Sequence, residues 1–137
     1  RQNGRLADAS ESEVSCLKEL IARAKKAITQ MIFSNPEDQK LLTLAKATAV
    51  RVSATQGAAV RDESGRTYAA ASVKLDSITL DALELALGMA LSSGAIAIEA
   101  AITFGSEPIA RARLAVREIS PSALLASVDQ DGKISTF

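Results

Sequence analysis

The sequence contains no histidine, no tryptophan and one cysteine, and aromatic residues make up only 3% of it. Each shortage excludes something. Without histidine, a serine nucleophile has no imidazole base, and a zinc hydrolase of the usual kind lacks its nitrogen ligands. Cys16 stands alone, so no disulfide closes within the chain. With no signal peptide in view, that points to a reducing, cytoplasmic setting. The apolar runs are too short to span a bilayer, so no membrane partner is expected. Sixteen basic side chains offset sixteen acidic ones, which removes any general electrostatic pull towards nucleic acid or membrane. The seven glycines are scattered at turn and cap positions and form no phosphate-binding or dinucleotide fingerprint. Ser15-Cys16-Leu17-Lys18 fits a bare S-x-x-K pattern, but it lies in a helix that needs its apolar face for packing and lacks the expected neighbours.

What is present is enough for a core. Apolar residues reach 47% and charged residues 23% of 137 positions, the balance of one domain with an appendage. With so few aromatics the core has to be aliphatic and alanine-rich, with close helix–sheet packing. The chain opens on Arg1 rather than Met, which leaves room for residues upstream.

Residues 1–9 show no periodicity and read as a flexible tail. Ser10 and Glu13 suggest a capping box opening a helix that runs to about Phe33. Its apolar positions Val14, Leu17, Ile21, Ala24, Ile28 and Met31 follow spacings of three and four, a heptad-like stripe widened by Leu20, Ala27 and Ile32. Such a stripe has to be buried, against its own domain, a symmetry mate or another protein. Asn35 and Pro36 start a second helix, to about Val50, in a domain spanning 36–137. Strands are expected at Gln56–Asp62 and Thr67–Val73, joined by a turn over Glu63–Arg66. Thr79 is read as the cap of a third helix, Leu80–Ser93, closed by Gly94. A buried strand covers Ala97–Phe104. Ser106 or Glu107 with Pro108 opens a fourth helix that ends near Ile119 and is stopped by Ser120-Pro121. Strands at Leu124–Val128 and Lys133–Phe137 flank a turn at 129–132. The order implies a partly parallel sheet covered by helices.

Four segments carry a resemblance: GAAVRDESGRTYAAASV, LDALELALGMALSSG, SEPIARARLAVREISP and SALLASVDQDGKIST. Their order and spacing are similar to those of the small homo-oligomeric cytidine deaminases, over roughly three quarters of the chain. The resemblance implies an α/β fold, a three-layer α/β/α sandwich on a mixed five-stranded sheet, preceded by a helical extension. It also implies dimers or tetramers. Pro108 and Arg113 of the family's second metal-binding segment are kept.

The family's chemistry is not. Its zinc lowers the pKa of a bound water and its glutamate carries protons. Asp81 stands at the first ligand position, Leu83 at the glutamate, and Ile109 and Ala112 at the cysteine pair. One carboxylate is no zinc site, and Asp81 also reads simply as an acid complementing a helix dipole. Glu84 lies one residue past the glutamate slot, about a hundred degrees round the helix. Where the family holds ribose hydroxyls, this chain has Ser72 and Lys74. A lysine donates but does not accept; it suits a phosphate, or is an ordinary strand-end charge. Arg111, Arg113 and Arg117, with Lys74, Arg61 and Arg66, outline a local basic surface for a nucleotide or RNA backbone, or else pair with nearby acids. Few aromatics are available for base stacking.

Three functions follow: a catalytically inactive, oligomeric structural, regulatory or protein-interaction member without zinc or other cofactor; a nucleotide- or RNA-binding module using a remnant pocket around Ser72, Lys74, Arg111 and Arg113; and an active deaminase with an unrecognised metal site. The old pocket is expected to be filled or narrowed by Leu83 and Ile109.

Overall fold

The computed structural model describes the backbone of residues 2–32 and 34–137; residues 1 and 33 and the side chains of 2–9, 25, 26 and 28–32 lie outside the described set. The chain divides into two compact units, Arg1–Ser34 and Asn35–Phe137. The first is a single helix, α1 (Gln2–Ile32). It starts well before Ser10, so the expected tail and the Ser10 capping box are corrected. Residues 2–9 contain no proline, and extending an existing helix costs far less than nucleating one. Val14, Leu17, Leu20 and Ile21 of its stripe are exposed; Ile28 and Met31 lie among the side chains outside the described set.

In the second unit, α2 (Pro36–Arg51) begins as expected, with the Asn35 side chain accepting from the Glu37 amide and Pro36 in the first turn. A five-stranded sheet runs in the order β2-β1-β5-β6-β7, built from β1 (Gln56–Asp62), β2 (Thr67–Ala71), β5 (Ile98–Gly105), β6 (Leu124–Val128) and β7 (Ile134–Thr136). The β5–β6 pair is parallel and the others are antiparallel. Helices α3 (Ala82–Ser92) and α4 (Ala110–Ile119) follow β1–β2 and β5. A small ladder of β3 (Val73–Lys74) and β4 (Thr79–Leu80) precedes α3.

Strand alternation sorts the layers. Ala58 and Val60 of β1 join a buried cluster with Ala82, Leu83, Ala86 and Leu87 of α3 and Ala112 and Val116 of α4. Gly57 points the other way: a Cβ there would lie 2.0 Å from the Ala45 carbonyl oxygen of α2. The aliphatic, alanine-rich composition thus permits backbone-close helix–sheet contact on both faces, the three-layer arrangement expected. The side chain of Arg61, also on the α2 face, meets Asp38 of α2 at 2.8 Å and Glu99 of β5 at 2.9 Å.

Two helix starts in this unit differ from the sequence reading. Thr79 is not a helix cap, because Thr79–Leu80 pair as β4, and α3 starts after Asp81. Neither Ser106 nor Glu107 caps α4; its N-cap is Ile109, whose side chain cannot cap. Pro108 keeps the residue before it extended. Gly105, at φ +95°, turns the chain in a position where a Cβ would meet the Thr55 carbonyl oxygen at 2.2 Å.

Candidate functional site

The N-termini of α3 and α4 converge, and one carboxylate serves both. Asp81 is extended, at φ −67° and ψ 141°, and its Oδ2 accepts from the Leu83 amide at 3.0 Å. Its Oδ1 accepts from the Ile109 amide at 3.2 Å, at the start of α4. Each helix start carries unpaired amides and a partial positive charge, so a negative oxygen pair between them answers both. Glu84 completes a capping box by accepting from the Asp81 amide at 2.8 Å. The next amide, that of Ala82, donates to Gln56 Oε1 of β1 at 2.9 Å, which ties α3 to the sheet.

A second link crosses from α3 to α4. Arg111 Nε and Nη2 donate to Glu84 Oε2 and Oε1 at 2.8 and 2.9 Å, a two-pronged pair. The Arg111 guanidinium holds the Glu84 carboxyl below its ordinary pKa; partial burial opposes this and the Asp81 amide assists it. Glu84 in turn raises Arg111.

These groups edge a cleft of about 380 Å³ whose lining includes Gln56, Ser72, Lys74, Asp81, Glu84, Ile109 and Arg111. Asp81, Ile109, Ser72, Lys74 and Arg111 thus line one cleft. Leu83 and Ala112 are not at the cleft: both are buried in the apolar cluster between α3, α4 and the sheet. Of the two residues expected to fill or narrow the pocket, Leu83 turns into the core and does not reach it, while Ile109 lines the cleft and stays 41% exposed.

The basic surface also dissolves. Arg113 stacks over the Phe137 ring, 4.6 Å from its centroid, beside a separate depression of about 260 Å³ formed by α4, Leu125 and Phe137. Arg117 donates to the carbonyls of Pro121, Ala123 and Phe137. Arg61 is buried between two acids. Arg66 pairs with Asp62, a fully buried carboxylate that also accepts from the Ser64 and Arg66 amides and the Tyr68 hydroxyl. Burial disfavours the charge on Asp62, but those amide donors together hold its pKa below the ordinary value.

The roles of two residues escaped the sequence reading. Glu84 was legible, since Asp81-Ala82-Leu83-Glu84 has capping-box spacing. Gln56 was not, because nothing local marks it; it is 3% exposed, and its Nε2 is buried without a hydrogen-bond partner among the described residues.

The donor set does not fit a zinc ion. Ile109 and Ala112 carry no donor, and both Asp81 oxygens are engaged by backbone amides. Among the described residues no group of three or more Cys, His, Asp or Glu side chains could hold a metal.

The cytidine deaminase-like family matches residues 34–132. Three solved structures are similar in fold. The cytidine deaminase from Burkholderia pseudomallei has 19% identity, covering 72% of this chain and 90% of that one, at TM-score 0.64. That from Bacillus anthracis has 19% identity over 75% of this chain and 83% of that one, at 0.58. The enzyme from Mycobacterium tuberculosis has 22% identity over 64% and 81%, at 0.56. Comparison with curated proteins gives no match.

Proposed function

The chain belongs to the cytidine deaminase-like family, and from that premise we propose that it is a catalytically silent member, with an oligomeric structural, regulatory or protein-interaction role in place of deamination. One observation carries this reading. The space between the two helix starts, where the resemblance puts a metal and its ligands, is bridged by Asp81, whose two oxygens accept from Leu83 and Ile109. Deamination at neutral pH needs an activated water and a proton carrier. The apolar Leu83 and Ile109 supply neither, and Glu84 is spent on the Asp81 amide and Arg111. The bridge performs the mechanical part of a metal's work, joining α3 to α4, without its chemistry. Purified protein should contain no stoichiometric zinc and release no ammonia from cytidine. Ammonia release that a chelator stops overturns the proposal.

A second reading, a nucleotide- or RNA-binding module, draws on the cleft itself, where Ser72, Lys74 and Gln56 lie together. Arg111 is committed to Glu84 and Arg113 lies elsewhere, which leaves Lys74 as the cation for a phosphate. Titration with cytidine monophosphate and short RNA at two salt concentrations tests it. Affinity that weakens with salt and with Lys74→Ala supports binding; no binding at either concentration removes it.

A further inference from the structure

Helix α1 carries a surface that the silent site leaves unused. Val14, Leu17, Leu20 and Ile21 are exposed at 48, 54, 53 and 52%. In heptad terms Val14, Ile21 and Ile28 occupy a, and Leu17, Ala24 and Met31 occupy d. β-Branched residues at every a position favour two parallel strands over three or four, most clearly in the heptad that sets Leu17 at d.

The flanking charges bear on direction. In a parallel pair, position g of one helix faces position e of the next heptad on its partner, which sets Glu13 against Lys18 twice per dimer. In an antiparallel pair that overlays the stripe on itself, e faces e, and Lys18 comes against Lys25, again twice. The first arrangement is attractive and the second repulsive.

We infer that α1 binds α1 of a second copy as a parallel two-stranded coiled coil over residues 13–31, in the register that pairs Glu13 with Lys18. The inference rests on the reading of this chain as an oligomeric, interacting protein, and it supplies the partner. It also places Cys16 at position c, on the outside of the pair.

Mild oxidation of the full chain tests it. With Cys16→Ser as background, Leu17→Cys brings two d positions within disulfide reach and should be captured as a covalent dimer. Native Cys16 should be captured poorly. Adding Glu13→Lys should slow capture by about fivefold, the scale of the two exposed pairs lost per dimer, and adding Lys18→Glu to that variant should restore it. Circular dichroism checks that the variants stay helical. Absence of a Leu17→Cys dimer overturns the proposal. So does a dimer from Leu17→Cys with Ile28→Cys but not from Leu17→Cys alone, since antiparallel helices hold two copies of position 17 about 16 Å apart. Zinc content and ammonia release do not sense α1, and cross-linking does not sense the cleft, so the two proposals fail separately.

Discussion

Helices α1 and α3 are both rich in aliphatic residues, and they meet opposite fates. In α3, Ala82, Leu83, Ala86, Leu87 and Ala90 are buried within their own domain. In α1, the described leucines, isoleucine and valine of the stripe stay about half exposed. The difference lies in the rest of each helix. α3 carries one charged residue, Glu84, and is apolar almost all round, as a helix does when its domain covers it. α1 keeps a charged face, with Lys18, Glu19 and Arg23 around a stripe that Leu20 widens. Apolar content alone marks a surface for burial; the charge on the rest of the helix separates one covered all round from one with a single face to cover.

The contrast can be broken most directly at Leu83. Leu83→Ala should destabilise the Asn35–Phe137 unit by about 2–5 kcal/mol in urea unfolding, the cost of a cavity at a fully buried leucine. A loss below about 1 kcal/mol would mean that α3 is less committed to its core than its burial suggests.

Asp81 comes next. Asp81→Ala should cost about 1–2 kcal/mol by removing the cap of α3 and the side-chain oxygen that the Ile109 amide donates to. Asp81→Asn should recover about half, because an amide has one acceptor oxygen to divide between two donors. Equal losses for the two variants would show that charge rather than hydrogen bonding holds the helix starts together.

The Glu84–Arg111 pair is smaller and depends on pH. Glu84 is held below its ordinary pKa, first by Arg111. Its contribution is therefore complete above the unfolded value of about 4.3 and is lost as pH falls through the lower folded value. Arg111→Ala should be less stable than the parent at pH 7, by less than Asp81→Ala, and the gap should close in acid. A gap that is unchanged at pH 3 assigns the effect to packing.

The smallest effect is expected on α1. Leu17→Ala, measured at dilution, should shift the unfolding of the Asn35–Phe137 unit by less than about 0.5 kcal/mol. A larger shift would mean that the stripe serves its own domain after all.

Strands β1 and β6 run over the residues that their apolar pattern marks, Gln56–Asp62 and Leu124–Val128, and Asn35-Pro36 opens α2 as its local chemistry requires. These features depend on neighbours in sequence. The start of α3 was misplaced because Thr79 was read as the cap in place of the nearby Asp81 and Glu84, and that of α4 because its determinant is remote. Thr79 is drawn into a ladder with Lys74, and Ile109 takes its cap from a carboxylate 28 positions earlier. The same holds for Arg61, Arg113 and Arg117, which read as surface charge until Asp38, Glu99, Phe137 and the carbonyls around residue 121 come into range.

The amino-acid sequence by itself determined the family, the layered order of elements and the absence of histidine and of a cysteine pair, because periodicity, spacing and residue identity are properties of the chain alone. Only the tertiary structure decided what lies between the starts of α3 and α4. Hydrogen bonds form between atoms about 3 Å apart, and which atoms those are depends on where folding brings two helix ends together.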